Sequence, residues 1–282
     1  MSNSRNAPVV DISDLTVDFQ TQRGDVRALR NVDLTIPQNK TVGVVGESGC
    51  GKSTLINSIL RLLAPNASIT SGSVKFFDTN ILEMTDTELN DLRGQKISMV
   101  FQDPMTALNP VITVGKQMTD ILFRDESSRT KKLEKARDML QMVGIPDAIE
   151  RLDDYPHQFS GGMRQRICIA MALMMNPALL IADEPTTALD VTLEAQVIHL
   201  LRELRNSFEC SILFVSHNLG LIAELCDEVV VMYAGEVVEK GDVFDLFHNP
   251  AHPYTRRLLE CDPARIEKTC LLYTSPSPRD RG

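Results

Sequence analysis

Nine residues, Gly46-Glu47-Ser48-Gly49-Cys50-Gly51-Lys52-Ser53-Thr54, have the types and spacing to cradle a chain of phosphates. Gly46, Gly49 and Gly51 free the backbone to turn successive N–H groups toward one anion. The apolar run Thr41-Val42-Gly43-Val44-Val45 before them reads as a buried strand, and Leu55, Ile56, Ile59, Leu62 and Leu63 after them as a helix. That helix points its positive end, worth roughly +0.5 charge, at the same place. In this setting Lys52 reaches the β- and γ-phosphates of a nucleotide and the Ser53 hydroxyl holds Mg²⁺.

Three further polar elements follow directly on apolar runs that read as strands. Gln102 ends the run Lys96 to Phe101, Asp183-Glu184 follows Ala178 to Ala182, and His217 follows Ile212 to Val215. Ligands of open parallel sheets bind beyond the carboxyl ends of the strands, so these elements are expected to converge on one nucleotide. Asp183 then has the placement of a carboxylate that holds Mg²⁺ through water, and Glu184 is next in line to polarise an attacking water. Gln102 senses Mg²⁺ or the lytic water, and His217 hydrogen-bonds the γ-phosphate. Ser160-Gly161-Gly162 opens a helix with free N–H groups and forms a second anion site. One phosphate loop with two anion-binding devices suggests a head-to-tail dimer, Ser160 and Gly162 of one subunit closing over the nucleotide of the other.

The elements that position these residues alternate along the chain. Residues 9–19 and 26–36 alternate apolar and polar side chains, as two half-buried antiparallel strands around Arg23-Gly24-Asp25. Phe19, at the tip of the first, either stacks on an adenine or packs on the sheet edge. Ser73 to Phe77 reads as a strand, and Thr85 with Glu88 as a helix start. From Met105 to Phe159 the pattern turns helical, with Leu133, Ala136, Leu140 and Val143 on one helix face. A helix from Met163 to Met175, another through Leu193, Val197, Leu200, Leu201 and Leu204, and closing strands Val229 to Tyr233 and Val237 to Glu239 complete a strand–helix alternation.

Composition narrows the partners. The 282 residues carry 29 Lys and Arg against 38 Asp and Glu, a net charge of −9, which disfavours a general electrostatic grip on nucleic acid or an anionic membrane. The start of the chain leads into no apolar signal, and the longest apolar run, Ile167 to Met175, is far below the roughly 18 residues a span requires. The reading is a cytoplasmic protein. Six cysteines without a C-x-x-C spacing read as reduced thiols, and five histidines show no metal-ligand pair.

Taken together, the loop 46–54, Gln102, Phe159-Ser160-Gly161-Gly162-Met163, Leu179 to Glu184, Ala188-Leu189-Asp190 and His217 resemble the ATP-binding-cassette ATPases over residues 9 to 262. Phe159 and Met163 depart from the Leu and Gln usual in the signature, and neither change touches Ser160 or Gly162. The runs Val100 to Pro110, Ser160 to Arg166 and Asn249-Pro250-Ala251-His252-Pro253-Tyr254-Thr255 are similar to the importers of the oligopeptide, dipeptide and nickel group. The resemblance implies an α/β fold: a P-loop NTPase (RecA-like), mostly parallel core with an N-terminal antiparallel β element and an inserted α-helical subdomain. It divides the chain at 1–102 and 161–248 for the core, 103–160 for the insert and 249–269 for the start of a C-terminal extension.

The resemblance also implies ATP and Mg²⁺ as cofactors and adds Asp190 to the nucleotide site. It implies a second, homologous ATPase subunit, two membrane permease subunits docked near Gln102, a solute-binding protein feeding them, and a place at the inner face of the cell membrane. His252 and Tyr254 receive a structural part. The alternatives are a soluble cassette acting on ribosomes or DNA and a non-hydrolysing nucleotide-binding regulator; intact Lys52, Asp183 and Glu184 argue against the second. Residues 270–282, beginning Cys270-Leu271-Leu272-Tyr273-Thr274-Ser275, look like a translated transposon-end sequencing adapter, so the native chain is expected to continue beyond roughly Thr269.

Overall fold

A computed structural model describes residues 7–187 and 189–261. The expectations for the foreign-looking tail and for Ala188 lie outside the described residues.

The alternating N-terminal segment forms a long hairpin, β1 (Val10–Thr21) and β2 (Gly24–Ile36), whose Thr21↔Gly24 pairing leaves Gln22 and Arg23 as the turn. The sequence places the break slightly later, at 23–25. Strict alternation would put Ile12 and Leu15 on opposite faces, yet both are buried. A register shift between them, with Asp14 at φ 52°, turns the strand over and returns both to one core. On the other side of β1 runs β4 (Ala67–Phe76), with the short β5 (Thr79–Asn80) beyond it, so the order is β2-β1-β4-β5. The strand expected at Ser73 to Phe77 therefore starts earlier; its first half sets half-buried Ala67 and Ile69 among exposed Ser68, Thr70 and Ser71, a short and weak apolar alternation.

A second sheet holds the fully apolar runs. Its order is β10 (Glu236–Asp242), β9 (Glu228–Tyr233), β3 (Thr41–Val45), β8 (Ser211–Val215), β7 (Leu179–Asp183) and β6 (Ile97–Val100). All neighbours are parallel except the β9–β10 pair. Alternate residues feed two cores, which is why these strands read as continuous apolar runs. Val42, Val44, Leu179, Ile181, Leu213 and Val215 face the antiparallel sheet, together with α1 (Lys52–Ile59) and α2 (Asp86–Leu92). Leu180, Ala182, Ile212 and Phe214 face the remaining helices. Thr85 caps α2 in a capping box with Glu88, as its spacing suggests.

Between β6 and β7 the chain forms α3 (Pro104–Ala107), α4 (Val114–Ile121), α5 (Arg129–Met142), α6 (Ala148–Arg151) and α7 (Gly161–Leu173). Ala136, Leu140 and Val143 are buried against this insert and Leu133 partly so. The buried Gln117 amide receives the Asn109 N–H and donates to the Asn109 and Ile112 carbonyls, stapling the Leu108-Asn109-Pro110 turn onto α4. The chain continues through α8 (Val191–Phe208), α9 (Leu219–Leu225), α10 (Val243–His248) and α11 (Pro253–Glu260). Among the described residues no helix is long and apolar enough to cross a membrane.

Candidate nucleotide-binding site

Parallel strands end at one edge, so β3, β6, β7 and β8 deliver their following residues to the same place. There a cavity of about 300 Å³ is lined by Ala28, Ser48, Gly49, Gly51, Lys52, Ser53, Thr54, Gln102, Asp183 and Glu184. Three of the four elements expected to converge line it, namely the loop after β3, Gln102 after β6 and Asp183-Glu184 at the end of β7, joined by Ala28 from within β2; His217 after β8 is not in the lining.

The phosphate loop is shaped by its glycines. A Cβ on Gly46 (φ 155°) would lie 2.3 Å from the Met232 carbonyl oxygen, and one on Gly51 (φ 111°) 2.8 Å from Leu29 Cδ2. No larger residue fits either position without moving backbone or core. Gly51 is also the N-cap of α1, which has no side-chain cap and no acidic residue in its first turn. The N–H groups of that turn and the helix dipole are thus left for an external anion.

Lys52 is buried, 8% exposed, and its ammonium donates to the carbonyls of Gly46 at 2.8 Å and Glu47 at 3.0 Å. Its third contact is the Cys50 sulfur at 3.9 Å, and neither carbonyls nor a thiol carry a charge to balance the ammonium, so an anion in the cavity suits it. Asp183 meets the complementary problem. Burial first, then the neighbouring Glu184, push its carboxyl above the usual carboxylate range, against the pull of Lys52. A divalent cation between Asp183 and the Ser53 hydroxyl would relieve that charge, and hydroxyl and carboxylate oxygens are the donors Mg²⁺ prefers. The residues present therefore fit a nucleotide phosphate chain and its cation.

Glu184 sits in the left-handed region, φ 46°, a conformation that costs a side-chain-bearing residue about 1–3 kcal/mol and clusters at functional sites. Its N–H donates to Val215 O at 2.8 Å, anchoring the residue to β8. Its carboxylate accepts from Gln102 Nε2 at 3.2 Å and Thr187 Oγ1 at 3.1 Å, and His217 Nδ1 lies 3.3 Å from its other oxygen. His217 thus joins the cavity through Glu184. With Nδ1–H on that carboxylate, Nε2 donates to a phosphate only when the ring is an imidazolium.

The other candidate residues stand apart. Gly46 and Cys50 are buried members of the loop that do not line the cavity; the Cys50 carbonyl accepts the Gly235 N–H at 3.0 Å. Phe19 is half-buried against the core between the sheets and does not line the cavity. Ser160 caps α7, accepting the Met163 N–H at 3.3 Å, and with Gly161 is exposed to solvent away from this cavity. Gly162 is buried against Leu193, and Asp190 caps α8 by accepting the Leu193 N–H at 2.9 Å. Three contributors escape the sequence reading. Ala28 has no chemistry to reveal it. Thr187 carries a weak signal, a hydroxyl three residues after Glu184 in a turn. Tyr254 belongs to a motif visible in sequence, but its contact with the loop is purely tertiary.

A glycine-shaped loop between strand and helix, a buried lysine, and a carboxylate pair at the end of a neighbouring parallel strand define a P-loop NTPase. The family profile described as ABC transporter matches residues 29–187. The dipeptide transport ATP-binding protein DppD of Lactococcus lactis subsp. cremoris is 47% identical over 90% of this chain and 74% of its own length. The oligopeptide transport ATP-binding protein OppD of Salmonella typhimurium is 46% identical over 95% of this chain and 80% of its own. Among solved structures, the dimeric ATP-binding cassette MJ0796 bound to ADP and Pi superposes with a TM-score of 0.73 at 29% identity, covering 83% of this chain and 98% of that one. The structure of cbiO1 from Clostridium perfringens, part of the ABC transporter complex cbiONQ, gives a TM-score of 0.75 at 25% identity, over 86% of this chain and 92% of that one. The chain belongs to the ABC transporter family and is an ATPase cassette of that family.

Proposed function

We propose that this chain is the ATP-hydrolysing subunit of an importer for dipeptides, oligopeptides or a related solute such as nickel. The observation that carries the reading is its 45–49% identity to dipeptide and oligopeptide transport subunits over 89–95% of its length. The soluble alternative finds no support among these relatives.

In this reading Lys52 and the amides of residues 48–54 bind the phosphates, and Ser53, Asp183 and Gln102 hold Mg²⁺. The cation, when bound, neutralises phosphate charge in the reacting state. Glu184 accepts the proton of the attacking water, held in position by Gln102 and Thr187, and His217 contacts the γ-phosphate. Phe19 is assigned the adenine. Ser160, Gly161, Gly162 and Asp190, exposed or at an exposed helix start and away from the cavity, serve the nucleotide of a second, homologous cassette in a head-to-tail dimer. That the MJ0796 cassette is a dimer supports the association of two cassettes.

Two permease subunits would sit on the insert. An apolar cavity of about 390 Å³ between β6 and the insert is lined in part by Leu62, Phe101, Leu108 and Met171, and Phe101 precedes Gln102. Movement of a permease segment there reaches Gln102, and through it Glu184, in one residue. A solute-binding protein would deliver the cargo, and the cassette would lie at the inner face of the membrane.

The test is affinity purification of tagged Glu184→Gln chain in ATP from membranes solubilised in mild detergent. The reading expects two polytopic permease subunits and a second cassette. Recovery of the cassette with ribosomes or DNA and no membrane subunit would overturn it.

A further inference from the structure

The motif Asn249 to Thr255 has no part in the chemistry above, yet one of its residues touches the phosphate loop. The Tyr254 phenolic oxygen accepts the Glu47 N–H at 3.2 Å across 207 residues of sequence. That N–H belongs to the same peptide group as the Gly46 carbonyl, which accepts the Lys52 ammonium at 2.8 Å. In a trans peptide the N–H and C=O point to opposite sides, so Tyr254 and Lys52 grip one rigid unit from opposite directions. Rotating that peptide would turn its oxygen away from Lys52.

Tyr254 is itself held in place. Its ring lies 4.5 Å, centroid to centroid, from that of Tyr233 at the end of β9, and β9 is the parallel neighbour of the strand that leads into the loop. Its N–H donates to His252 Nδ1 at 3.2 Å, where His252 is the N-cap of α11. The N–H groups of Ala251 and His252 donate to the Glu239 carboxylate on β10 at 2.7 and 3.1 Å. The motif is thus a turn folded onto the β9–β10 edge that presents one hydroxyl to the loop. Burial lifts the phenol above its usual range, so it meets the amide as a neutral group.

The geometry points to Tyr254 as a positioning residue for nucleotide binding: its hydroxyl fixes the Gly46–Glu47 peptide and thereby the Lys52 ammonium, tying the C-terminal segment to the phosphate loop. The residue lies outside the stretch 29–187 that the family profile covers. The inference rests on the reading of residues 46–54 as the nucleotide site.

The test uses the full 282-residue chain and a ribose-labelled fluorescent ATP. Tyr254→Phe keeps the ring on Tyr233 and removes only the acceptor. The expected result is nucleotide binding about 3- to 10-fold weaker, the loss of one neutral hydrogen bond. KM for ATP should rise by the same factor with kcat unchanged, amide exchange should quicken in residues 46–51, and the melting temperature without nucleotide should match wild type. Wild-type affinity in Tyr254→Phe overturns the proposal alone. Weaker binding accompanied by lower melting and faster exchange throughout the chain also overturns it, because the tyrosine would then be a general structural support. Wild-type chain that binds no labelled ATP, or Lys52→Ala that binds as tightly as wild type, overturns the nucleotide-site reading and the proposal with it.

Discussion

Gln102 Nε2 donates to Glu184 Oε2 at 3.2 Å although the two residues are 82 positions apart and follow different strands. Thr187 shares that oxygen and His217 approaches the other, so the carboxylate is oriented from three segments at once. Gln102 also borders the insert, where Phe101 is 51% exposed beside the apolar groove. A displacement of the insert would therefore reach Glu184, the residue proposed to handle the attacking water.

Thr187 orients Glu184 without facing the cavity itself. Thr187→Val keeps the shape and removes the donor, so turnover should fall by about 3- to 10-fold, the worth of one hydrogen bond, while ATP affinity stays unchanged. Parallel measurement of kcat and of nucleotide Kd checks this. A change confined to Kd would contradict it.

Asp183 carries a cost to folding. Its folded pKa is raised by burial and by Glu184. The folded state thus holds the proton more tightly than the unfolded one, and the penalty is absent below the unfolded value and grows as pH rises through the folded one. Asp183→Asn should raise the melting temperature of the nucleotide-free chain at pH 7, with the gain fading toward pH 4, roughly the ordinary Asp pKa. Thermal melts of both proteins across that range check the sign.

Gly51 is pinned by φ 111° and by Leu29 Cδ2 and the Ala28 carbonyl, 2.8 and 3.0 Å from where a Cβ would stand. Gly51→Ala should cost about 1–3 kcal/mol of stability, visible in denaturant unfolding. It should also displace the N-cap of α1 and weaken nucleotide binding.

Much of this architecture is legible in the chain because its strands are buried on both faces. Thr41 to Val45, Leu179 to Ala182 and Ile212 to Val215 are unbroken apolar runs, and each stops abruptly at a polar residue that the structure brings to the sheet edge. The first half of β4 is not legible, since it pairs with β1 through its backbone while only Ala67 and Ile69 of its side chains are apolar and half-buried, among exposed Ser68, Thr70 and Ser71. Nor is the β1 bulge, because it obscures the alternation it serves. Tyr254 shows the deeper limit: its meeting with Glu47 depends on the docking of α11 against β9 and β10, which no local pattern encodes. Phe19 is readable as an aromatic at a strand tip, and its partial burial against the core is what the strand pattern leaves open.

In the function proposed above, this cavity binds ATP through Lys52 and hydrolyses it through Glu184. The most direct measurement is of ATP affinity and steady-state turnover for Glu184→Gln in the assembled transporter, beside wild type. Glu184→Gln should bind ATP with wild-type affinity and turn it over about 10²-fold or more slower, because the group proposed to receive the water's proton is gone while the phosphate cradle is intact. Turnover equal to wild type would contradict it and remove Glu184 from the reaction.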